Sequence, residues 1–319
     1  MKLVCTITLF FSVCAHVFSQ NINVTSTQTP QQLVNSVLLG SGVTASNITI
    51  NGAAGMANTP FGNIGYFVNT NGTFPMTSGL ILTTGDATGA VGPNSSGSST
   101  NPGASQSVSF DPDLNAIANG SITNGVLLEF DFIPAGDTLI FNYLFGSDEY
   151  IEFAPSSFND AFGIFLWGPG ISGPFTFPGY PNGGSNIAII PGGIPVTINN
   201  INQVTNSQYY VFNESPQDTY GDAIQYDGTT VKLTASASVQ CNQTYHIKFA
   251  IANVLDQAYD SGVFLEAGSF SSSAVSVAVA TVSGDTTIVE GCTYADFIFT
   301  RPEAQMGDTL IINYSISGT

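Results

Sequence analysis

Four carboxylic acids lie within thirteen positions of the chain, at Asp148, Glu149, Glu152 and Asp160, between two strongly apolar segments. The whole chain has only four Lys and Arg residues to pair with its acidic side chains. Carboxylates this close together raise one another's pKa unless a cation or a hydrogen-bond network stabilises their charged forms. Because hard cations prefer oxygen ligands of this kind, the spacing predicts a Ca²⁺ site.

Two further acids, Asp256 and Asp260, lie in a segment that we expect to form a turn between two other core strands. If the strands on either side of the acidic segment pair, this turn can face it at one end of a sheet. The predicted ligands of the Ca cofactor are therefore Asp148, Glu149, Glu152, Asp160, Asp256 and Asp260. The spacing matches no fixed motif such as the EF-hand. A solvated acidic loop, in which Asp and Asn residues cap turns, stays open as the alternative.

Two of these carboxylates could instead form the acid pair of a polysaccharide-acting hydrolase. Every acidic β protein contains such pairs, so we favour binding and predict no enzyme activity. A serine hydrolase is disfavoured because no Gly-x-Ser-x-Gly motif lies between a strand and a helix. His246 shares a strand face with Lys248, opposite Tyr245 and Ile247, so we interpret it as a structural histidine on the wetter face.

The segment 168–185 combines Phe175, Phe177 and Tyr180 with many Gly and Pro residues. We predict a long surface loop, and loops of this length in a compact domain are usually functional or disordered. Together with Trp167, its rings could form a stacking platform for a sugar. Trp167 itself ends an apolar strand, so burial in the core is the favoured prediction for this side chain.

These candidate sites depend on a framework of strands. Charged residues make up only 8% of the chain, and β-branched and aromatic runs are separated by Gly, Pro and Asn throughout. This pattern is typical of an all-β, two-sheet sandwich of the jelly-roll type. The predicted strands are 43–50, 64–68, 79–84, 126–133, 138–145, 161–167, 186–190, 195–199, 208–212, 230–238, 244–252 and 262–270.

The run 138–145 has apolar residues on both faces, which predicts a central strand. The segment 89–111 has no apolar period and is predicted to be a long surface loop.

One helix is predicted near the N-terminus. Thr29 is a suitable N-cap, Pro30 suits the first helical position, and Gln32 completes a capping box. We expect the helix to end at Gly40 and to cover one open end or edge of the sandwich. Its apolar face is formed by Leu33, Val34, Val37 and Leu38.

Residues 1–19 are predicted to be a secretory signal peptide, because Lys2 precedes an apolar stretch too short to span a bilayer. A lipoprotein signal is disfavoured because bulky Val13 precedes Cys14. After cleavage, three basic residues would face 22 acidic ones, a formal net charge of −19. Such a charge disfavours nucleic acid and anionic membranes as partners.

The mature chain would keep two cysteines, Cys241 and Cys292. An oxidising compartment permits a disulfide, but the two residues lie in different predicted domains, so their pairing stays open. Two isolated cysteines and His246 do not give the spacing of a zinc site.

The motifs Gly-Ser-Asp-Glu-Tyr at 146–150, Phe-Asn-Asp-Ala-Phe-Gly at 158–163 and Tyr-Asp-Ser-Gly at 259–262 occur in this order. With the opening helix and the segment 244–248, they resemble the choice-of-anchor L domain of secreted, surface-displayed proteins from Bacteroidota-type bacteria. The resemblance extends from about residue 31 to residue 271. It implies export by the type IX secretion route and anchoring at the cell surface.

The last 45 residues contain Val289-Glu290-Gly291 and the runs 297–302 and 310–319, and they resemble the first half of a Calx-β repeat. The predicted organisation is a signal peptide at 1–19, a β-sandwich domain at 20–273, and a truncated Calx-β or Ig-like repeat at 274–319. We expect further β modules beyond Thr319. A C-terminal region that engages the secretion and anchoring machinery is expected there too.

The function that these observations predict is that of a secreted cell-surface module, either adhesin-type or structural. Its expected partner is an extracellular polymer, namely a polysaccharide or a surface glycan. Hydrolysis of a polysaccharide is the alternative. We predict no membrane insertion of the mature chain.

Overall fold

The structure is a computed structural model that describes residues 22–70, 74–97 and 107–272, together with the backbone of strands 276–281 and 295–300. The predicted signal peptide at 1–19 and Cys292 lie outside the described residues, as does most of the predicted repeat at 274–319. Within the described ranges, no helix is long and apolar enough to cross a membrane.

Strands dominate the described part of the chain, as the composition predicts. In chain order they are Ile22–Thr25 (β1), Val43–Ile50 (β2), Ile64–Asn69 (β3), Ser78–Thr83 (β4), Ile122–Pro134 (β5), Thr138–Ser147 (β6), Ala161–Trp167 (β7), Phe175–Phe177 (β8), Tyr180–Asn186 (β9), Ile189–Ile190 (β10), Ile194–Thr197 (β11), Tyr210–Phe212 (β12), Gly228–Thr230 (β13), Leu233–Ser238 (β14), Tyr245–Val254 (β15), Ser261–Glu266 (β16), Ser271–Ser272 (β17), Ser276–Thr281 (β18) and Ala295–Thr300 (β19).

The helical elements are short. They are Pro30–Leu33 (α1), a π-helical turn at Val34–Leu38 that continues it, Pro112–Ala118 (α2), and 3₁₀ turns at Ala54–Asn58, Ala87–Ala90 and Ser207–Tyr209.

Two antiparallel sheets pack face to face as a sandwich, which confirms the predicted fold class. The first sheet has the order β1-β3-β4-β16-β6-β13-β12, and β14 and β17 also pair with β6. The second sheet has the order β10-β11-β7-β15-β5-β2, with β9 paired to β7 and β8 paired to β9. Strand β6 therefore lies centrally in the first sheet, as predicted from its apolar residues on both faces.

Aromatic side chains fill the space between the sheets. Phe141 of β6 packs against Phe249 of β15 with ring centroids 5.6 Å apart, and Phe270 contacts both rings. Leu144, on the opposite face of β6, packs with Phe264 in a second buried cluster outside the sandwich core. Complete burial of such a side chain contributes about 1.5–3 kcal/mol relative to exposure. Strand β6 is thus fixed by apolar packing on both faces.

The N-terminal helix forms through its predicted capping box. The backbone N–H of Gln32 donates to Thr29 Oγ1 (3.2 Å), and the backbone N–H of Thr29 donates to Gln32 Oε1 (2.9 Å). Leu33, Val34 and Leu38 are fully buried in the main core. The helical segment contacts β2 of the second sheet and β4 of the first sheet, so it covers an edge of the sandwich, as expected.

A second helix, α2, was not predicted from the sequence. Asp111 is its N-cap, with Oδ1 accepting from the backbone N–H of Leu114 (2.8 Å), and Pro112 occupies the first helical position. Leu114 and Ala118 are buried against the outer face of the second sheet, where α2 contacts β7 and β15. Charged side chains on that face are therefore covered.

Strands β18 and β19 pair with each other in a two-stranded sheet of their own. The division of the chain into a domain at 20–273 and a repeat at 274–319 stays a prediction.

Candidate functional site

The acidic segment begins where β6 ends. At that end Ser147 lies opposite Gly228 of β13 on one side and Ser261 of β16 on the other. The next residue, Asp148, therefore lies between Asp227 and Asp260, the residues that precede those two strands. The backbone N–H of Asp148 donates to the carbonyl of Asp260 (2.9 Å), which continues the ladder. Like charges at opposite positions of neighbouring strands destabilise a sheet.

Asp148 is only 1% exposed, and neither of its carboxyl oxygens accepts a hydrogen bond of normal geometry. Burial, followed by the neighbouring carboxyls of Asp227 and Asp260, raises the pKa of Asp148 well above its ordinary value. The backbone of Asp227 lies close enough to lower this pKa in part, although it does not complete a hydrogen bond. Asp148 is thus an almost uncompensated buried acid.

Asp227 is a member of this cluster that the sequence did not predict. Its Oδ1 accepts from Asn94 Nδ2 (2.8 Å), whereas its Oδ2 is buried without a partner. Burial is the main cause that raises the pKa of Asp227 to about 7, and Glu152 and Glu214 add to it while Asn94 opposes it. The available signal was the Tyr-Asp step at 226–227, which repeats the Tyr-Asp step at 259–260 before β16.

Glu149 belongs to a different group of acids. Burial, followed by Asp160, Asp256 and Glu152, raises the pKa of Glu149 to about 9, and its Oε1 has no partner. Asp160 is better compensated, because its Oδ2 accepts from Ser261 Oγ (2.6 Å) and its Oδ1 from the backbone N–H of Val254 (2.9 Å).

Burial is also the main cause that raises the pKa of Asp160, to about 8. The hydroxyl oxygens of Ser261 and Ser147 are 2.8 Å apart, which links this group to the end of β6.

The remaining predicted ligands lie at the edge of this region. Glu152 is exposed and Asp256 is half-buried, with Oδ1 accepting from the backbone N–H of Ala258 (3.1 Å) in a turn. The six predicted acids therefore lie near one sheet end but divide into two groups, one around Asp148 and one around Glu149. Among the described residues no three His, Cys, Asp or Glu side chains are arranged to hold a metal ion. The Ca²⁺ site stays a prediction.

A second polar group lies on the outer face of the second sheet. His246 Nδ1 is 2.8 Å from Asp131 Oδ1 and its Nε2 is 3.2 Å from Glu129 Oε2. Lys248 is also buried there. The prediction that His246 and Lys248 lie on the wetter face is wrong, because α2 and the β8–β9 hairpin cover them. The structural interpretation of His246 agrees with its two carboxylate partners.

The predicted loop at 168–185 contains the hairpin β8–β9. Phe177 stacks on His246 with ring centroids 3.9 Å apart and planes inclined by 22°. Trp167 is fully buried, as predicted, and its Nε1–H donates to the carbonyl of Phe175 (3.0 Å). Tyr180 packs beside Phe177 with ring centroids 6.1 Å apart. A shallow depression of about 380 Å³ lies on this hairpin, lined by Thr176, Phe177, Gly179, Tyr180, Pro181 and Gly183.

Cys241 is exposed and has no disulfide partner among the described residues. Because Cys292 lies outside the described residues, the pairing of these two cysteines stays open.

One comparison with known proteins identifies a family. The family model described as "Choice-of-anchor L domain" matches residues 21–271. No curated protein and no solved structure matches the chain. The match contains both acidic groups and the aromatic hairpin.

Proposed function

The chain belongs to the choice-of-anchor L domain family, and we propose that it is an adhesin-type module that binds a neutral extracellular polysaccharide. Family membership implies a secreted or surface-associated protein. The proposal adds the ligand class and places binding at the depression on the β8–β9 hairpin. It also includes export from a Bacteroidota-type bacterium by the type IX route, with Calx-β-like repeats forming a stalk.

The main support for glycan binding is a pair of half-buried aromatic rings, Phe177 and Tyr180, that border this depression. Sugar rings pack their C–H faces on aromatic rings, and binding sites combine such apolar surfaces with a few fixed polar groups. Stacking on His246 fixes Phe177, and the two carboxylates around His246 fix the imidazole in turn. Rigid rings lose little conformational entropy on binding, which favours affinity.

The net charge of the chain favours neutral over acidic polysaccharides as ligands. The full chain has a formal net charge of −18. Such a field repels anionic polymers and lowers the rate at which they associate. A neutral polysaccharide therefore suits this surface better than an acidic one.

Hydrolysis by a carboxylate pair has less support. Asp148, Glu149 and Asp160 are each at most 1% exposed, so a polymer chain cannot reach them in this conformation. A glycosidase requires both carboxyls to contact the scissile bond. Release of reducing ends from the polysaccharides used for binding would revive this alternative.

The test is a glycan array followed by affinity electrophoresis on neutral and acidic polysaccharides. We expect retention by a neutral polysaccharide and a loss of at least about tenfold in affinity for Tyr180→Ala, which corresponds to about 1.4 kcal/mol. The control is Phe212→Ala, which removes a ring that is 44% exposed on β12 of the first sheet. Both variants should keep the melting temperature of the parent chain. Equal retention of both variants, or retention of acidic polymers alone, would contradict the proposal.

A further inference from the structure

Four buried side-chain oxygens without hydrogen-bond partners lie around the end of β6, where β13 pairs with it. They are Asp148 Oδ1, Asp148 Oδ2, Asp227 Oδ2 and Thr229 Oγ1. Thr229 lies opposite Gly146, and Asp227 is next to Asp148 in the continuation of the same register. Opposite residues of paired strands project to the same side, so Thr229 shares a face with Gly146. The carboxyl of Asp148 lies beside Asp227, whose charge and backbone both act on it. We call this group the Asp148 pocket.

The neighbours of Gly146 confirm which face is involved. A Cβ at that position would lie 2.9 Å from Tyr226 Cδ2 and 3.2 Å from Thr229 Cγ2, so both side chains cover this face of β6. Tyr226 is itself buried, and its hydroxyl donates to Thr83 Oγ1 (3.2 Å). The pocket is therefore enclosed by side chains rather than open to bulk water.

No described basic side chain neutralises the pocket. The described ion pairs of Lys232, His246 and Lys248 are made with other acids, and neither Asp148 nor Asp227 takes part in them. Buried carboxylates without partners are strongly destabilising, and the neighbouring positions of Asp148 and Asp227 add repulsion. A ligand that supplies positive charge would remove both costs at once.

We propose that the Asp148 pocket binds a divalent cation, with Ca²⁺ as the favoured ion. Ca²⁺ accepts six to eight oxygen ligands from carboxylates, hydroxyls, backbone carbonyls and water, in flexible geometry. Asp148, Asp227 and Thr229 supply the oxygens for which the structure shows no other partner. This ligand set is smaller than the six-acid set expected from the sequence and replaces most of it with residues brought by β13. The proposal is independent of glycan binding at the β8–β9 hairpin.

The first experiment measures the melting temperature of the full chain, stripped with a chelator and then titrated with Ca²⁺ or Mg²⁺. A ligand that binds only the folded state raises stability with its concentration. We expect a saturable rise with Ca²⁺ and one equivalent bound by calorimetry. Asp148→Asn and Asp227→Asn should each abolish this response. Asp137→Asn, which removes one exposed carboxylate at the other end of β6, should leave it unchanged.

The alternative is that protonation, rather than a cation, neutralises the carboxyls of the Asp148 pocket. If the carboxyls are simply protonated, Asp148→Asn should raise the melting temperature of the stripped chain, and Ca²⁺ should change neither protein. That outcome would overturn the proposal.

A second variant guards against misfolding of the Asp variants. Thr229→Val keeps the side-chain shape but removes Oγ1, so it should weaken Ca²⁺ affinity several-fold, whereas Thr229→Ser should retain it. Tyr226 lies beside the pocket and can sensitise Tb³⁺ luminescence, which gives a direct readout on the folded parent chain. The assignment would also be refuted if Ca²⁺ did not quench the Tb³⁺ luminescence by displacing the ion, or if the Val and Ser variants bound Ca²⁺ with equal affinity.

Discussion

Replacing Lys248 with alanine should destabilise the domain more than any other removal of a described basic side chain. Lys248 Nζ donates to Asp111 Oδ2 (2.6 Å) and to Asp113 Oδ2 (2.7 Å), and the three side chains are only 6–7% exposed. The ammonium group also lies 5.0 Å from the centroid of the Phe165 ring. It therefore joins the first turn of α2 to the outer face of the second sheet.

The expected magnitude follows from burial. Removing one partner of a buried ion pair leaves an uncompensated charge and costs about 3–5 kcal/mol. Lys248→Ala leaves two such carboxylates, so we expect a loss at the upper part of this range. Lys232 provides the matched control, because its 3.1 Å ion pair with Glu266 is solvated, with side chains 38% and 23% exposed. Lys232→Ala should cost about 0–1 kcal/mol.

The assay is equilibrium unfolding in urea, followed by the fluorescence of the single tryptophan, which is Trp167. Burial already raises the pKa of Asp113 against the opposing effect of Lys248. Without the lysine, protonation of Asp113 should relieve part of the strain, so the deficit of Lys248→Ala should shrink as the pH falls below neutrality. A loss within about 1 kcal/mol of the Lys232→Ala value at pH 7 would refute the reasoning.

Two further predictions concern the framework. Burial raises the pKa of Asp160 in the folded state from its ordinary 3.8 to about 8. The contribution of this group to stability is therefore complete below about pH 4 and is lost as the pH rises to about 8. Chelator-treated protein should therefore lose about 1.4 kcal/mol of unfolding free energy per pH unit from this group in that window, and Asp160→Asn should flatten that part of the pH profile. Thr29→Ala should cost about 1 kcal/mol by removing the N-cap of α1, whereas Ser36→Ala on the exposed side of the same helical segment should be nearly neutral; equal losses would contradict the capping assignment.

Local patterns in the sequence were sufficient for the strands of the core. The bounds predicted for β2 and β7 are those observed, because each run of β-branched and aromatic residues ends at Gly, Asn or Pro. The capping box of α1 was equally readable, since its three residues lie within one turn. These signals are contained in a few consecutive residues, so they survive without knowledge of the fold.

The elements that cover the outer face of the second sheet could not be predicted from local sequence patterns. Helix α2 has only two turns, so its buried residues Leu114 and Ala118 do not form a detectable apolar period. The only sequence signal for this helix was the Asp111–Pro112 step at its N-terminus. The hairpin β8–β9 is rich in Gly and Pro, which favoured a loop. Because neither α2 nor the β8–β9 hairpin was predicted, the sheet face that carries His246 was predicted to be exposed to solvent. Charge indicates a wet face only where no other element packs on it.

The division of the acids shows a different limit. Asp148 and Glu149 are adjacent in the turn that follows β6, but they meet different acids. Which acids meet is therefore decided by register, and that depends on strands about 80 and 110 residues further along the chain. The Tyr-Asp steps before β13 and β16 place a carboxylate on each side of Asp148. Such an arrangement is costly for the bare protein, because burial and like charge act together on one group. A cation in the Asp148 pocket would remove that cost, because it would supply the positive charge that no described basic side chain brings to Asp148 and Asp227.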